Sequence, residues 1–297
     1  MVRRPLGNHH HGPDTFLVTP DTQQTELSTE PTGRAAELTE QATEQTILVT
    51  AHDQQAAEQT EPVAAETENL RELITRARFV LFDFDGPICR LFAGHKAEVI
   101  AEGQVRWLEE RGLHGLLTEG EREHPDPHEV LRAVDRRHTG SDLVAELEER
   151  LTQQELRAVD SAWPTAYADP LIRTWLAVGS RLAITTNNSP RAVRSYLATR
   201  GLEACFTPHI YGRTQDLHLL KPHPHCLNRA LSAMGAEAEA SLMIGDTPSD
   251  FQAAEQAGVP FLGYARNARK EKLLRASGAE HVVNSLELIL NLLRAQA

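Results

Sequence analysis

Four short apolar runs, most ending on polar residues, punctuate the chain after residue 78. Phe79-Val80-Leu81-Phe82 runs into Asp83, and Leu182-Ala183-Ile184-Thr185 into Thr186-Asn187. Leu242-Met243-Ile244 runs into Gly245-Asp246, and Val259-Pro260-Phe261-Leu262-Gly263-Tyr264 follows a helical pattern. Such continuous runs fit strands buried on both faces, as in a parallel sheet. Between them lie segments with helical spacing at 190–200, 222–234, 248–257, 269–276 and 285–294. A short helix over 69–74 leads into the first run. Strands alternating with helices predict βαβ units, hence an α/β fold with a parallel sheet. Residues 90–170 break the alternation. Their pattern is almost wholly helical, with caps and breaks at Gly112, Gly120, Pro125, Pro127, Thr139-Gly140 and Pro164. Leu143, Leu147 and Leu151 recur at i+4 and form an amphipathic stripe. This reads as a helical module inserted between the first two strands.

Residues 1–70 have a different texture. They hold twelve acids against three bases, a balance of −9, which leaves −3 of the total −12 for the other 227 residues. They also hold twelve Thr and one aromatic residue, Phe16, and the phrases TELSTEP, TEQATEQT and AEQTEP recur. A segment so poor in apolar residues cannot offset a chain entropy of about 1–2 kcal/mol per residue. The expectation is a disordered acidic N-terminal tail with an unknown partner. His9-His10-His11 within it reads as a loose metal-binding tract or an incidental polar one. The remaining chain divides into a core at 71–92 and 170–297 and a helical insertion at 93–169.

Composition excludes several classes. Three Cys in 297 residues are no disulfide framework and read as reduced cytosolic thiols, predicting a cytoplasmic protein. A pI near 5.6 lacks the basic footprint of a nucleic-acid binder. No apolar run approaches 18 residues, so no membrane span is expected. The start of the chain has no apolar h-region and is not a secretory signal. No P-loop or GxGxxG run supports a nucleotide-dependent alternative.

Ligands of open α/β sheets bind outside the carboxyl ends of the strands, and four polar clusters are read there. Asp83-Phe84-Asp85-Gly86 sends two carboxylates off one strand end, with Gly86 free to turn the chain away. Two close carboxylates repel unless a metal or a shifted pKa relieves them; the plainer reading is a solvated turn. Thr186-Asn187 offers a hydroxyl and an amide to an anionic oxygen, although a turn or N-cap role for Asn188 or Ser189 competes. Lys221 is one of only four lysines and stands before Pro222-His223-Pro224. It is a point charge for phosphate or an ordinary surface lysine. In Gly245-Asp246-Thr247-Pro248-Ser249-Asp250, Asp246 leaves a strand and Asp250 enters the first turn of a helix, where an acid also suits the helix dipole.

The ordered quartet DFDG, TN, KPHP and GDTPSD resembles the haloacid dehalogenase (HAD) superfamily over about 78–295. The resemblance implies a Rossmann-like parallel sheet with an inserted all-helical cap, and Mg²⁺-dependent hydrolysis of small phosphorylated metabolites. By the same resemblance, Asp83 matches the nucleophile that becomes an aspartyl-phosphate. Asp85 matches the general acid/base. Thr186 and Lys221 match the groups that bind and stabilise the transferring phosphoryl. Asp83, the backbone carbonyl of Asp85, Asp246 and Asp250 match the metal site. Asn187 and Arg90 join Thr186 and Lys221 as substrate-binding candidates. The loop after Gly86 departs from phosphoglycolate-phosphatase-like members, which usually carry Thr, a small aliphatic residue and then Asp-Ser. Here it reads Pro87-Ile88-Cys89-Arg90-Leu91, placing a cation near the entrance. Arg90, helped by His95 and Lys96, could meet a second anionic group of the substrate, or all three are ordinary charged cap residues. His218, His223, His225 and Cys226 lack the spacing of a zinc site, and Cys89 reads as a small buried residue. A phosphomutase, a dehalogenase, a phosphonate hydrolase and a regulatory HAD-like protein are the competing readings. Asp85 argues against the dehalogenase and the phosphonate hydrolase, and the intact motif set against a loss of catalysis.

Overall fold

A computed structural model describes residues 67–295. The expected tail and its His triplet lie outside the described residues, except that 67–70 already belong to a helix, α1, over 67–76. Leu70 and Ile74 of that helix are buried in the core, so ordered structure begins before the boundary at 70 that composition suggested.

Six parallel strands form the sheet: β1 (Phe79–Phe82), β4 (Arg181–Thr185), β5 (Ile210–Tyr211), β6 (Ser241–Gly245), β7 (Phe261–Tyr264) and β8 (Val282–Val283). Their order is β5-β4-β1-β6-β7-β8. β1 lies at the centre, with Phe82 level with Ile184 on one side and Ile244 on the other. The carboxyl ends therefore finish together. Alternation divides each strand between two cores. Val80, Phe82, Leu182, Ile184, Leu242 and Ile244 face one, which includes Trp175 of α6 (Ala168–Ala177) and Ile289 of α12 (Leu286–Arg294). Leu81, Ala183 and Met243 face the other, against Leu227 of α9 (His225–Met234) and Ala253 of α10 (Pro248–Ala257). Burial on both faces is why the strands read as continuous apolar runs.

The helical insertion contains α2 (Ala97–Glu110), α3 (Glu119–Arg122), α4 (Pro127–His138) and α5 (Asp142–Val159). Its apolar cluster joins Ile100, Trp107, Val130, Leu131 and Val134 to Leu147 and Leu151 of the anticipated stripe. Leu217 and Leu220 of the core complete that cluster. The chain passes between the two layers through a two-stranded neck. β2 (Cys89–Arg90) pairs antiparallel with β3 (Trp163–Pro164), Cys89 opposite Pro164 and Arg90 opposite Trp163. The remaining helices are α7 (Pro190–Arg200), α8 (Glu203–Phe206) and α11 (Ala268–Ala276). No helix among the described residues is long and apolar enough to cross a membrane.

Candidate active site

The first cluster is built by the central strand. Asp83 follows β1, its N–H donating to the Ile244 carbonyl at 2.8 Å. Gly86 has φ +135°, and a Cβ there would stand 2.3 Å from the Asp246 carboxyl carbon, so only glycine permits this approach. Asp85 is held by the Leu91 N–H, which donates to Oδ1 at 2.8 Å. Burial pushes the Asp85 carboxyl up to about 6, opposed by the Leu91 hydrogen bond. Burial also pushes Asp83 up to about 7, against the attraction of Lys221 and with the repulsion of Asp250 and Asp246. Crowded carboxylates with elevated pKa values mark a site suited to proton transfer and cation binding.

Lys221 is 2% exposed, so the surface-lysine reading does not hold. Its Nζ donates to Asp83 Oδ1 at 2.8 Å, to the Thr185 carbonyl at 2.9 Å, and to Asp250 Oδ1. These partners hold the ammonium firmly in its charged form. Lys221 departs from the strand-end expectation: it follows a short 3-10 turn, Leu217–Leu219. The helix expected from 222 starts only at His225, because Pro222 and Pro224 restrict the residues before them and supply no N–H. Asn187 brackets Lys221 instead of standing free. Its Oδ1 accepts the Lys221 N–H at 2.8 Å, and its Nδ2 donates to the Lys221 carbonyl at 3.2 Å. Thr186 Oγ1 accepts the Asn188 N–H at 3.2 Å and donates to Asn188 Oδ1 at 3.1 Å. Ser189 caps α7, as the competing turn reading had it.

Asp246 follows β6 and Asp250 lies in the first turn of α10. Thr247 and Asp250 form a reciprocal capping box. Asp250 Oδ2 accepts from the N–H groups of Asp246 and Thr247 at 3.1 and 3.0 Å, while Oδ1 takes Lys221. Both oxygens are thus engaged. Asp250 acts as a helix cap and as the counter-charge of Lys221, so the helix-dipole reading and the site reading are both met. Carboxylate oxygens of Asp83, Asp246 and Asp250 lie within 4.8 Å of one another. Asp246 Oδ1 is buried without a hydrogen-bond partner, and its Oδ2 is paired with Lys270. Among the described residues, the His218/His223/His225/Cys226 group is not gathered into a metal-sized cluster. Cys226 is buried, with its thiol pushed up to about 11. Cys89 is likewise buried.

A cleft of about 450 Å³ brings together Asp83, Asp85, Thr186, Asn187, Lys221 and Asp250. A second cavity of about 540 Å³ shares Asp85 and Lys270 with it and adds Arg90, Lys96 and Arg266. His95 is turned elsewhere, bonding Gln154 at 2.8 Å.

Sequence reasoning missed a buried ionic network behind the cleft. Glu155 of α5 and Arg213, just after β5, have side chains 0% exposed and form a two-pronged pair at 2.8 and 2.9 Å. Glu155 also accepts from Asn188 Nδ2 at 3.1 Å and the Ser189 N–H at 3.0 Å. Arg213 donates to the Asn187 carbonyl at 3.0 Å and to Glu148 at 2.8 Å. His128 of α4 stands 3.3 Å from Glu155 and 3.1 Å from Asp126; these carboxylates raise its pKa to about 9 despite burial. Arg213 and His128 hold the Glu155 carboxyl well below the usual range. Arg132 of α4 further donates to the Lys221 carbonyl. The helical layer and the loops carrying Thr186, Asn187 and Lys221 are thereby tied together.

The model of the family described as haloacid dehalogenase-like hydrolase matches residues 77–258. A phosphoglycolate phosphatase of Rhodospirillum rubrum is 36% identical over 110 residues, 36% of this chain and 44% of that protein. The pyrophosphatase PpaX of Halalkalibacterium halodurans is 29% identical over 128 residues, 42% of this chain and 58% of that protein. The matches thus span about half the length of these relatives. Among solved structures, one described as a "predicted phosphatase" from Clostridium acetobutylicum superposes with TM-score 0.54 at 17% identity. It covers 72% of this chain and 96% of that one, a likeness of fold.

Proposed function

Since this chain belongs to the haloacid dehalogenase-like hydrolase family, we propose that it is a Mg²⁺-dependent hydrolase of small phosphorylated metabolites acting through an aspartyl-phosphate. The observation that carries this reading is the buried contact of Lys221 with Asp83, beside an Asp85 carboxyl raised to about 6. The relatives named phosphatase and pyrophosphatase support the phosphate chemistry.

Asp83 is the nucleophile: its carboxylate oxygen attacks phosphorus, and the bond to the leaving oxygen breaks. Lys221 and Thr186 offset charge on the phosphoryl oxygens, which is where such transfers need help. Asp85 gives its proton to the departing oxygen. It then takes a proton from water, whose oxygen attacks phosphorus and frees both phosphate and Asp83. A pKa near 6 suits a group that must hold a proton in one step and accept one in the next. Asn187 fixes the Lys221 backbone, and Asp250 fixes its ammonium.

The residues fit a divalent cation. The unpartnered buried Asp246 Oδ1 needs a donor or a cation, and an all-carboxylate set suits Mg²⁺. Asp83, Asp246 and the backbone carbonyl of Asp85 would hold the ion, with Asp250 behind them. When bound, Mg²⁺ would neutralise phosphoryl charge and favour the ionised form of Asp83. The helical layer over 93–169 would serve as the cap that excludes water from the site.

Phosphate release from a panel of phosphorylated metabolites tests the reading, with Mg²⁺ or EDTA and with wild type or Asp83→Asn. Release that needs both the metal and Asp83 supports it. Near-wild-type hydrolysis by Asp83→Asn removes the nucleophile assignment. No release from any member by folded wild type overturns the activity.

A further inference from the structure

The leaving group must depart toward Asp85, because that residue supplies its proton. Asp85 borders both cavities, and the one of about 540 Å³ is the one that Lys221 and Thr186 do not line, which leaves it open to the leaving group. Its wall gathers Arg90, Lys96, Arg266 and Lys270. Lys270 is engaged with Asp246. The other three have no carboxylate within ion-pair distance among the described residues, and Arg90 and Arg266 are exposed. What sets these three apart is their place together on one wall beside Asp85, since exposed cations such as Arg106, Arg157 and Arg194 also stand without an ion pair. Arg90 is placed by the neck: its guanidinium lies 5.1 Å from the centre of the Trp163 ring on the paired strand. Arg266 is placed by the end of β7, two residues after Tyr264. Its charge is felt at Asp85, and together with that of Arg90 at Tyr264, so both guanidiniums bear on the same region. Glu98 is the acid on the wall away from Asp85 and Asp246.

We propose that Arg90, Lys96 and Arg266 form a second anion subsite, so that the substrate is a phosphate ester whose leaving group itself carries a carboxylate or a second phosphate. This rests on the phosphatase reading, and it extends the Arg90 expectation to a residue on the far side of the sheet sequence, Arg266. Guanidinium groups suit either anion through paired N–H donors. Exposed cations are screened by salt, so the subsite should also impose a salt dependence on binding.

Matched esters test it: phosphoglycolate against ethyl phosphate for a carboxylate, and propane-1,3-diol bisphosphate against propyl phosphate for a phosphate. Wild type should prefer the anion-bearing member of at least one pair by tenfold or more in kcat/KM, and the favoured pair identifies the group. In Arg90→Gln/Arg266→Gln that preference should fall at least tenfold, mainly through KM, and the extra salt dependence of KM should fade. Both side chains are exposed, so folding should persist; the two single variants serve if the double variant melts early. Calorimetry with 3-phosphonopropionate against propylphosphonate reads the same preference without turnover, and its loss in the variant supports the subsite even if no ester is hydrolysed. Equal treatment of both members of each pair by wild type, or an undiminished preference in the variants, overturns the subsite. Loss of hydrolysis of all four esters with the calorimetric preference intact overturns only the phosphatase reading.

Discussion

Replacing Glu155 by Gln removes one charge from the most deeply buried ionic contact among the described residues and leaves the volume almost unchanged. Glu155 accepts from Arg213 twice, from Asn188, and from the Ser189 backbone, with no exposure of its side chain. A glutamine can accept at one oxygen only and turns an NH₂ group toward donors. Arg213 keeps Glu148 but loses its two-pronged partner. Breaking a buried pair from one side costs about 3–5 kcal/mol. The lower end applies here, because Glu148 remains, giving about 3 kcal/mol. For a protein of this size, each kcal/mol moves Tm by about 2–4 °C, so the expected fall is about 6–12 °C. Thermal unfolding followed by circular dichroism, with urea titration in parallel, measures it. Glu148→Gln provides the contrast: its side chain is 24% exposed, and with Glu155 still paired to Arg213 the loss is that of one hydrogen bond to a charged group, about 1.5 kcal/mol. The double variant Glu155→Gln/Arg213→Met should recover part of the loss, because the buried Arg213 charge is then no longer stranded. A Tm change below about 2 °C in Glu155→Gln, or an equal cost in Glu148→Gln, refutes the reasoning.

Other outcomes follow from the site. Asp85→Asn should slow phosphate release by about 10²–10⁴-fold, in keeping with loss of general acid–base catalysis; an unchanged kcat removes Asp85 from the mechanism. Asn187→Ala deletes two hydrogen bonds to the Lys221 backbone, each contributing about 0.5–1.5 kcal/mol. It should lower kcat severalfold to about a hundredfold with little change in KM, whereas a rise in KM at constant kcat would return Asn187 to substrate binding. His128 has a folded pKa of about 9, above its ordinary 6.5. Its contribution to stability is therefore complete below about pH 6.5 and is lost as pH rises through 9. Unfolding free energy measured from pH 6 to 10 should decline, and His128→Asn should flatten the decline; parallel curves for the two proteins would contradict it.

The parts of the fold that were legible in the sequence are those in which local pattern and tertiary burial agree. β1, β4 and β6 were visible because both faces are buried, and α10 because its helical spacing begins where Asp250 enters a first turn. β5 and β8 were not, since two residues carry no period and pair only because the sheet edge is there to receive them. The carboxylates of the site were legible as polar residues ending apolar runs, and Lys221 from its motif alone, since it ends a turn. Glu155 lies in a helix rich in charges, where sequence reads a solvated face, and only the docking of α5 on the loop at 187–189 buries it. His128 is silent for the same reason, and Arg213 because it stands in a loop after β5, where sequence reads an exposed cation. Lys270 and Arg266 had a usable signal: they follow a strand end, and Lys270 is one of four lysines.

The neck between the layers separates two kinds of modularity. Cys89 and Pro164 face each other in register, so the intervening segment leaves and re-enters the sheet domain at nearly one place. Geometrically it is an insertion cassette: a tight turn joining the two neck strands would close the chain without disturbing the sheet. Thermodynamically it is no such thing. Excision would bare Leu217 and Leu220 and strand Arg213 without Glu155 and Glu148. Grafting a relative's helical layer onto this core would therefore have to carry α5, or neutralise Arg213, before any new specificity could be expressed.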